Sequence, residues 1–293
     1  MKTMVLLNPT AGGGRAGRDA PSLLSRLPMA LDVRQTVGPG HARALTEEAR
    51  HRGVNSFIAV GGDGTLHEVI NGALSAGEGR PSVGILPLGT GNSFARDLGI
   101  HKVPEAMKAL QGPKTQVVDA VQIEHDGEPI WSINIVGFGF SASAGSLMNR
   151  RFKRLGVPGY LLAVLVELGR LHAPHYRYRL GEGGWLDGSL TMLSVCNSQF
   201  TGGDMWMAPA ADVSDGRLDV IAIGKMSRRT FLRAFPSLFK GTHVQHRDIS
   251  ATTAEVVHFD LPGPVEVMID GEVETLSVRT LRCHPGVLEV PCL

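Results

Sequence analysis

Short apolar runs that end in glycine-rich turns restrict the possible fold of this chain more than any other feature of the sequence. Residues 57–60 lead into Gly61-Gly62-Asp63-Gly64-Thr65, and residues 83–86 lead into Pro87-Leu88-Gly89-Thr90-Gly91-Asn92. A third run of the same kind, at residues 4–7, precedes residues 8–14, which include three consecutive glycines. Strands that end in such turns are typical of parallel α/β sheets, where the turns meet at the carboxyl edge.

The turn at residues 61–65 has the composition of a phosphate site. Glycines let backbone N–H groups approach a ligand, and a helix that begins at Thr65 would add its positive dipole end. Thr65-Leu66-His67-Glu68 has the form of a capping box. Asp63 would repel a bare phosphate, so it indicates a magnesium nucleotide. A tight turn between a strand and a helix is the alternative, and the two further turns favour the nucleotide pocket.

The pattern of predicted secondary structure changes along the chain, which predicts two domains. Before about residue 115, strands and helices alternate, which predicts a parallel sheet covered by helices. After it, β-like runs dominate and predict a β-sandwich or barrel-like domain. The predicted strands are 4–7, 31–36, 56–60, 82–87, 116–124, 130–136, 175–180, 188–196, 217–223, 245–251, 255–260, 264–269 and 274–282. The predicted helices are 20–27, 41–52, 65–75, 158–171 and 228–240.

Composition narrows the class of protein. The 293 residues are 43% hydrophobic and 19% charged, as in a globular protein of two domains. A net charge of +1 and the lack of a recognisable module argue against a nucleic-acid partner. The three cysteines, Cys196, Cys283 and Cys292, lack metal-ligand spacing and favour the cytoplasm. The longest apolar run, 160–166, is far below the roughly 20 residues of a membrane-spanning helix, so we expect a soluble protein.

Four motifs in a fixed order resemble the diacylglycerol kinase catalytic-domain family, in particular its soluble bacterial lipid kinases, with sphingosine and ceramide kinases as relatives. They are Asn8-Pro9, the loops at 61–65 and 87–92, and Ile269-Asp270-Gly271-Glu272. The resemblance runs from about residue 3 to the C-terminus. It implies a Rossmann-like three-layer nucleotide domain with a parallel sheet at 1–115, rejoined by 287–293. It also implies a β-rich sandwich domain at 116–286 that binds the acceptor.

The resemblance further implies an ATP- and Mg²⁺-dependent transfer of the γ-phosphate to the hydroxyl of a diacylglycerol-like or sphingoid lipid that enters between the domains. Glu272 corresponds to the general base, and Asp63 and Asp270 are further catalytic carboxylates. Phosphoryl transfer depends mainly on positioning and on electrostatic stabilisation, with a carboxylate that accepts the hydroxyl proton. For residues 270–272, an Asp-Gly hairpin turn with a solvated glutamate is the alternative.

The resemblance also assigns ligand contacts. A structural magnesium is implied at Asp215, with Asp212 and the Arg217 main-chain carbonyl as further ligands, although spacing alone favours a polar turn there. Thr36 could instead be an ordinary β-branched strand residue. His67 could instead be an exposed residue of the helix. The implied nucleotide contacts are Asn8, Thr36, Gly61, Gly62, Asp63, Gly64, Thr65, Leu66, His67, Gly89, Thr90 and Asn92.

An apolar helix and a basic cluster are candidates for contact with the lipid and the membrane. The helix that contains residues 160–166 and the basic cluster 150–154 would line an acyl pocket and meet anionic headgroups at the membrane surface; a buried helix with a solvated basic turn is the alternative. Phe231, Phe235 and Phe239 are predicted to pack in the core. A homodimer is compatible with the sequence.

Two other functions stay open. An NAD kinase would share the first glycine loop. A non-catalytic nucleotide-binding regulator is conceivable because Ser93 stands where many family members have Asp, which removes a carboxylate near Asp63. The Gly-x-Gly-x-x-Ala pattern at 137–142 has no acidic residue about 20 positions later, so we interpret it as a close-packed turn; no Walker A motif is present.

Overall fold

The computed structural model describes residues 2–148, 151 and 157–293. The chain divides into two compact units, Met1–Ala120 with Pro285–Leu293, and Val121–His284. Both divisions fall inside strands, Thr115–Glu124 and Thr280–Pro291. The sequence-based divisions lie at 115/116 and 286/287.

The first unit has a parallel sheet covered by helices, which confirms the predicted α/β class. Strands β1 to β4 and the end of the C-terminal strand pair in the order C-terminal strand, β4, β3, β1, β2, with every pair parallel. The strands are β1 (Thr3–Leu7), β2 (Leu31–Gln35), β3 (Ser56–Gly61) and β4 (Ser82–Pro87). The helices are α1 (Ala11–Leu24), α2 (His41–His51), α3 (Asp63–Ser75), α4 (Ser93–Asp97) and α5 (Val103–Gln111).

The strand register of this sheet aligns the carboxyl ends. Leu7 lies opposite both Gln35 and Val60, and Gly61 lies opposite Pro87. The strands are held by an apolar core, since β1, β3 and β4 are buried along nearly their whole length. The segments that follow β1 to β4 therefore leave the sheet at one edge.

Helix α1 begins nine residues before its predicted start at residue 20. Its first turn contains Gly12, Gly13 and Gly14 with φ of +60°, +67° and +86°, a region that glycine adopts without a Cβ penalty. The Gly14 N–H donates to Thr10 O over 3.1 Å, so the glycines form a left-handed entry to the helix. The composition of this turn is that of a loop, which is why the prediction starts too late.

The second unit is β-rich, as predicted. Its strands are β5 (Thr115–Glu124, entered from the first unit), β6 (Ile130–Ser132), β7 (Ile135–Gly139), β8 (His175–Leu180), β9 (Trp185–Cys196), β10 (Phe200–Thr201), β11 (Met205–Trp206), β12 (Leu218–Gly224), β13 (Ile249–Ala254), β14 (Val256–Phe259), β15 (Val265–Ile269), β16 (Glu272–Leu276) and β17 (Thr280–Pro291). Its helices are α6 (Phe140–Leu147), α7 (Val157–Leu168) and α8 (Arg228–Ala234), followed by 3₁₀ helices at Phe235–Lys240 and His243–Gln245.

Strand β9 connects two groups of strands in the β-rich unit: one half contains β8, and the other contains β7 and β12. Its first residues pair with β8, and its later residues pair with β7 and β12, all antiparallel. Side chains from both halves pack into one buried cluster, which includes Phe138, Leu193 and Val220 from one half and Val257 and Leu281 from the other. Because β9 pairs with strands of both halves, the two halves share one apolar core.

Several predicted elements are divided in the structure. The run 130–136 forms β6 and β7, and the run 274–282 forms parts of β16 and β17. The predicted strand 245–251 starts later, at Ile249. The predicted helix 228–240 changes to 3₁₀ geometry at Phe235, next to Pro236, which has no N–H to donate.

Phe231 is buried, but Phe239 is 44% exposed, so the predicted position of Phe239 in the core is wrong.

Only part of the predicted lipid-facing region is described. Of the basic cluster 150–154, Arg151 is described and the other four residues lie outside the described residues, as do the side chains of Tyr160 and Leu161. On α7, Ala163 and Val164 are buried, whereas Leu162, Leu165 and Val166 are exposed. In the part of the chain that the structure covers, no helix is both long and apolar enough to cross a membrane.

The pattern at 137–142 is a close-packed turn from β7 into α6. Gly139 has φ of +72°, and a Cβ there would lie 2.8 Å from Thr191 O. A Cβ at Gly137 would overlap the Ser141 hydroxyl. Both glycines are therefore explained by packing, in agreement with the interpretation from the sequence.

We expect Gly139→Ala to lower the free energy of unfolding by about 2 kcal/mol, because it combines a positive φ with a backbone clash. Gly184→Ala is the matched control, since a Cβ there meets no atom within 4 Å and its φ is not in the left-handed region. Urea denaturation of both variants measures the difference. Equal stability of the two variants would contradict the packing role of Gly139.

Candidate functional site

The three glycine-rich segments of the first unit are in direct contact. The Leu88 and Gly89 N–H groups both donate to Gly61 O, over 2.8 and 2.9 Å. A Cβ at Gly89 would overlap Cα of Gly62, and a Cβ at Gly12 would overlap Leu88 O. The structure thus brings together the segments that the sequence placed at one sheet edge, and glycine is what permits their backbones to touch.

Asp63 links the first loop to the second. Its Oδ1 accepts a hydrogen bond from the Ser93 N–H over 2.7 Å, and its Oδ2 lies 2.6 Å from where a Cβ on Gly91 would be. Ser93 is buried and contributes its backbone here, so the link does not need a carboxylate at that position. The side chain of Asp63 is therefore oriented by its own loop contacts.

Asn92 has an unusual backbone and an unpaired side-chain oxygen. Its φ is +53°, which asparagine tolerates better than most residues. Its Nδ2 donates to Gly89 O over 3.1 Å, while its Oδ1 is buried and has no hydrogen-bond partner within the described ranges. A buried acceptor without a donor is costly, so this oxygen is suited to a ligand or a bound water.

Asn8 fastens the segment after β1 to the first loop. Its Nδ2 donates to Thr65 Oγ1 over 3.3 Å, and its Oδ1 accepts from the Thr10 N–H and hydroxyl over 3.1 and 2.8 Å. Thr65 is buried, and a Cβ on Gly61 would overlap its hydroxyl. Asn8 and Thr65 thus hold the loops in place, whatever else they contact.

The predicted capping box at Thr65 is wrong. Helix α3 begins at Asp63, with Gly62 as its N-cap, so Asp63, Gly64 and Thr65 form its first turn. Glu68 instead accepts the N–H groups of Gly40 and Ala42 over 2.8 and 2.9 Å, and so caps α2. The earlier start places the glycine loop itself at the helix N-terminus, where N–H groups lack carbonyl partners and anions are stabilised.

The other residues assigned to the nucleotide differ in accessibility. Thr36 is buried after β2, with its N–H donating to Leu7 O over 2.8 Å. Leu66 is buried in the core, so only its backbone could reach a ligand. His67 is half-buried beside Asn71, and Thr90 is exposed. Of these four side chains, Thr36 and Leu66 are thus buried, whereas His67 and Thr90 are accessible.

In the second unit, Asp270 and Gly271 form a two-residue hairpin turn between β15 and β16, with Ile269 opposite Glu272. Their φ angles of +51° and +98° are both positive, as in a type I′ turn. The hairpin that the sequence left open as an alternative is therefore the local structure. Glu272 is the first residue of β16 and is half-buried.

Asp270 is a buried carboxylate that organises the connection between β6 and β7. Its Oδ1 accepts from the Ser132 hydroxyl over 2.6 Å and from the N–H groups of Asn134 and Ile135 over 2.9 and 3.3 Å. Its Oδ2 accepts from the Ile133 N–H over 3.1 Å. A buried carboxylate is stabilised by such a set of donors. Nothing in the spacing of 130–136 and 270 could have predicted this contact.

The acidic segment 212–219 forms a polar turn before β12. Asp212 Oδ1 accepts from the Ser214 N–H and hydroxyl over 2.9 and 2.7 Å, and Asp215 Oδ1 accepts from the Arg217 N–H over 2.9 Å. Burial and the nearby charge of Asp215 raise the pKa of Asp219 to about 6. Among the residues described, no group of three or more His, Cys, Asp or Glu side chains could hold a metal ion.

An apolar cavity that is partly open to solvent lies within the second unit, and no pattern in the sequence indicates it. Five of the ten methionines of the chain line it, so only their clustering in space reveals the site. His243 Nε2 donates to Met207 O over 3.0 Å, and burial lowers the pKa of His243, which keeps the ring neutral. The main apolar lining is Phe140, Met192, Met205, Met207, Ile223, Met226, Phe231, Phe235, Leu238, Ile249 and Met268.

Comparison with known proteins gives matches over nearly the whole chain. Residues 2–123 match the family model of the diacylglycerol kinase catalytic domain, and residues 134–292 match that of the YegS C-terminal NAD kinase beta sandwich-like domain. A diacylglycerol kinase of Mycobacterium tuberculosis (strain CDC 1551 / Oshkosh) is 34% identical over 295 residues, which cover 99% of this chain and 94% of that protein.

Solved structures share the fold. A crystal structure of a diacylglycerol kinase from Bacillus anthracis str. Sterne superposes with a TM-score of 0.73 at 22% identity and covers 100% of this chain and 97% of that one. An NAD kinase from Archaeoglobus fulgidus in complex with ATP is more distant, with a TM-score of 0.53 at 13% identity over 99% of this chain and 93% of that one.

We expect Asp270→Asn to lower the free energy of unfolding by about 2 to 3 kcal/mol. The amide nitrogen cannot accept a hydrogen bond, so one buried group among residues 132–135 loses its partner. Asp260→Asn is the control, because that carboxylate is exposed and pairs with Arg177, a contact worth about 0.5 kcal/mol. Chemical denaturation measures both, and equal losses would refute the positioning role of Asp270.

Proposed function

The chain belongs to the diacylglycerol kinase family, and from this membership we propose that it transfers the γ-phosphate of ATP to the hydroxyl of a diacylglycerol-like or sphingoid lipid. The single observation that carries the proposal is the full-length relationship to a protein named diacylglycerol kinase. The converging glycine loops of the first unit and the apolar cavity of the second are consistent with it, because the reaction needs a phosphate cradle and a place for an alkyl chain.

The nucleotide is proposed to bind at the three loops of the first unit. The N-terminus of α3 would present its positive dipole end to the phosphates. Asn92 Oδ1, which lacks a donor, and the exposed Thr90 hydroxyl are available for further contacts. Asp63, oriented by the Ser93 N–H, would hold the Mg²⁺ that accompanies ATP. When bound, that ion neutralises the charge that develops on the transferred phosphoryl group.

Glu272 is proposed as the general base. Its carboxylate would accept the proton of the lipid hydroxyl as that oxygen bonds to the γ-phosphorus and the bond to ADP breaks. Asp270 would act as a positioning residue, because its contacts to residues 132–135 fix the turn that carries Glu272. The type I′ hairpin holds the base on a rigid element.

The lipid is proposed to place an alkyl chain in the apolar cavity of the second unit. The cavity is lined almost entirely by apolar side chains with a few polar groups, as is typical of binding sites for small molecules. Methionine side chains are flexible and polarisable, and they adapt to chains of varied shape. Among the described residues, the lining contains no Asp, Glu, Lys or Arg, and burial lowers the pKa of its one histidine, His243. We further propose that the enzyme is cytoplasmic and contacts the membrane surface.

We expect Glu272→Gln to abolish transfer of labelled γ-phosphate to lipid and to leave ATP binding intact, because the amide cannot accept the hydroxyl proton. A loss of about 10²-fold or more in kcat is typical when a general base is removed. Glu274→Gln is the matched control, because that residue is exposed on the same strand. Normal turnover by the Glu272 variant would exclude this assignment.

The same assay separates the alternative functions. Wild-type protein is incubated with labelled ATP, Mg²⁺, a total lipid extract and NAD. Label in the lipid fraction supports the proposal, and label in NAD alone would identify an NAD kinase. ATP binding without transfer to either fraction would identify a non-catalytic nucleotide-binding regulator.

A structural Mg²⁺ is proposed to bind at the polar turn before β12, because hard oxygen ligands at a turn suit this ion. Its ligands would be Asp212, Asp215 and the Arg217 carbonyl.

We expect saturating Mg²⁺ to raise the thermal midpoint of the wild-type protein by about 4 °C or more and that of Asp215→Asn by much less. Asp126→Asn, an exposed carboxylate elsewhere in the unit, is the control. An identical Mg²⁺ shift in all three proteins, measured by differential scanning fluorimetry without nucleotide, would disprove this site.

A further inference from the structure

Residues 225–240 of the second unit form a short helical segment with two different faces. Ser227 caps α8 by accepting the Thr230 N–H over 3.2 Å, and Gly241, with φ of +66°, ends the 3₁₀ helix that follows. Phe231 is the one residue of α8 that is buried. Leu232 and Phe239 of the same segment are exposed, at 51% and 44%.

The exposed face is strongly basic. Lys225, Arg228, Arg229, Arg233 and Lys240 are all exposed. Residues 220–247 contain no aspartate or glutamate, although the whole chain has a net charge of only +1. Within the described residues, no ion pair joins these five side chains to a carboxylate. Five positive charges and two large apolar side chains are thus exposed within sixteen consecutive residues, and we call their exposed surface the basic-apolar face.

The inner face of the same segment lines the apolar cavity. Phe231, Phe235 and Leu238 all contribute to its wall. Phe239 packs edge-on against Phe235 with ring centroids 5.7 Å apart, so the outer and inner faces are one or two side chains apart. A partner that covers the outer face would therefore lie next to the cavity.

We propose that the basic-apolar face docks the enzyme on an anionic lipid bilayer. Lys and Arg near a bilayer are attracted to anionic headgroups, and exposed Leu and Phe side chains insert at the boundary with the acyl chains. This inference rests on the proposed function, because a lipid acceptor resides in a bilayer. Among polyanions, a bilayer uses both the charges and the apolar side chains, whereas a nucleic acid would use only the charges.

The experiment is sedimentation with vesicles of phosphatidylcholine alone or mixed with phosphatidylglycerol, without ATP. We expect wild-type protein to bind the mixed vesicles and to bind phosphatidylcholine vesicles far more weakly. The double variant Arg229→Glu/Arg233→Glu is expected to lose about 30-fold or more in partition coefficient, since each cation contributes about fivefold. Leu232→Ser is expected to weaken binding severalfold.

The control is Arg26→Glu/Lys108→Glu, which changes the net charge equally on exposed positions of the first unit. Equal losses in the two double variants, or no binding of the wild type, would overturn the proposal. Full binding by Leu232→Ser would also overturn it and would assign the face to a soluble polyanion. Kinase activity on detergent-dispersed lipid is measured separately; if it is absent while face-dependent vesicle binding persists, the proposed function fails and the docking surface stands.

Discussion

Backbone contact between glycines is the constraint on which the first unit depends. Gly62 and Gly89 approach so closely that a Cβ on Gly89 would overlap Cα of Gly62, and a Cβ on Gly12 would overlap Leu88 O in the same way. Because the carboxyl ends of the strands are level, this contact fixes three loops at one edge. Asp63 then adds a hydrogen bond to the Ser93 N–H, so its carboxylate has a defined direction before any ligand arrives.

The second unit is organised by a different interaction, the buried carboxylate of Asp270. Its oxygens accept hydrogen bonds from the Ser132 hydroxyl and from the N–H groups of residues 133–135, where the chain passes from β6 to β7. The same residue forms the turn that leads to Glu272, so a structural requirement and the proposed catalysis are coupled through one hairpin. The segment 225–240 is separate from this hairpin in sequence, whereas the apolar cavity reaches strand β15 of the hairpin through Met268.

Local patterns predicted the elements well and their ends less well. The alternation before residue 115 and the β-like runs after it correspond to the observed classes of structure, because burial periodicity is a local property. The errors have physical causes. Gly12 to Gly14 belong to the entry of α1, and Glu68 caps α2 through Gly40 and Ala42, contacts that only the folded chain provides.

The sequence by itself determined the α/β and β-rich classes, the three loops at one sheet edge and the family, since these follow from residue types in a fixed order. Only the tertiary structure decided that the glycines serve loop packing, that Asp270 is a buried anchor and that five distant methionines share a cavity. It also decided that Phe239 faces outward while Phe231 faces inward. Such facts depend on which distant segments meet, and no local pattern of side chains encodes that.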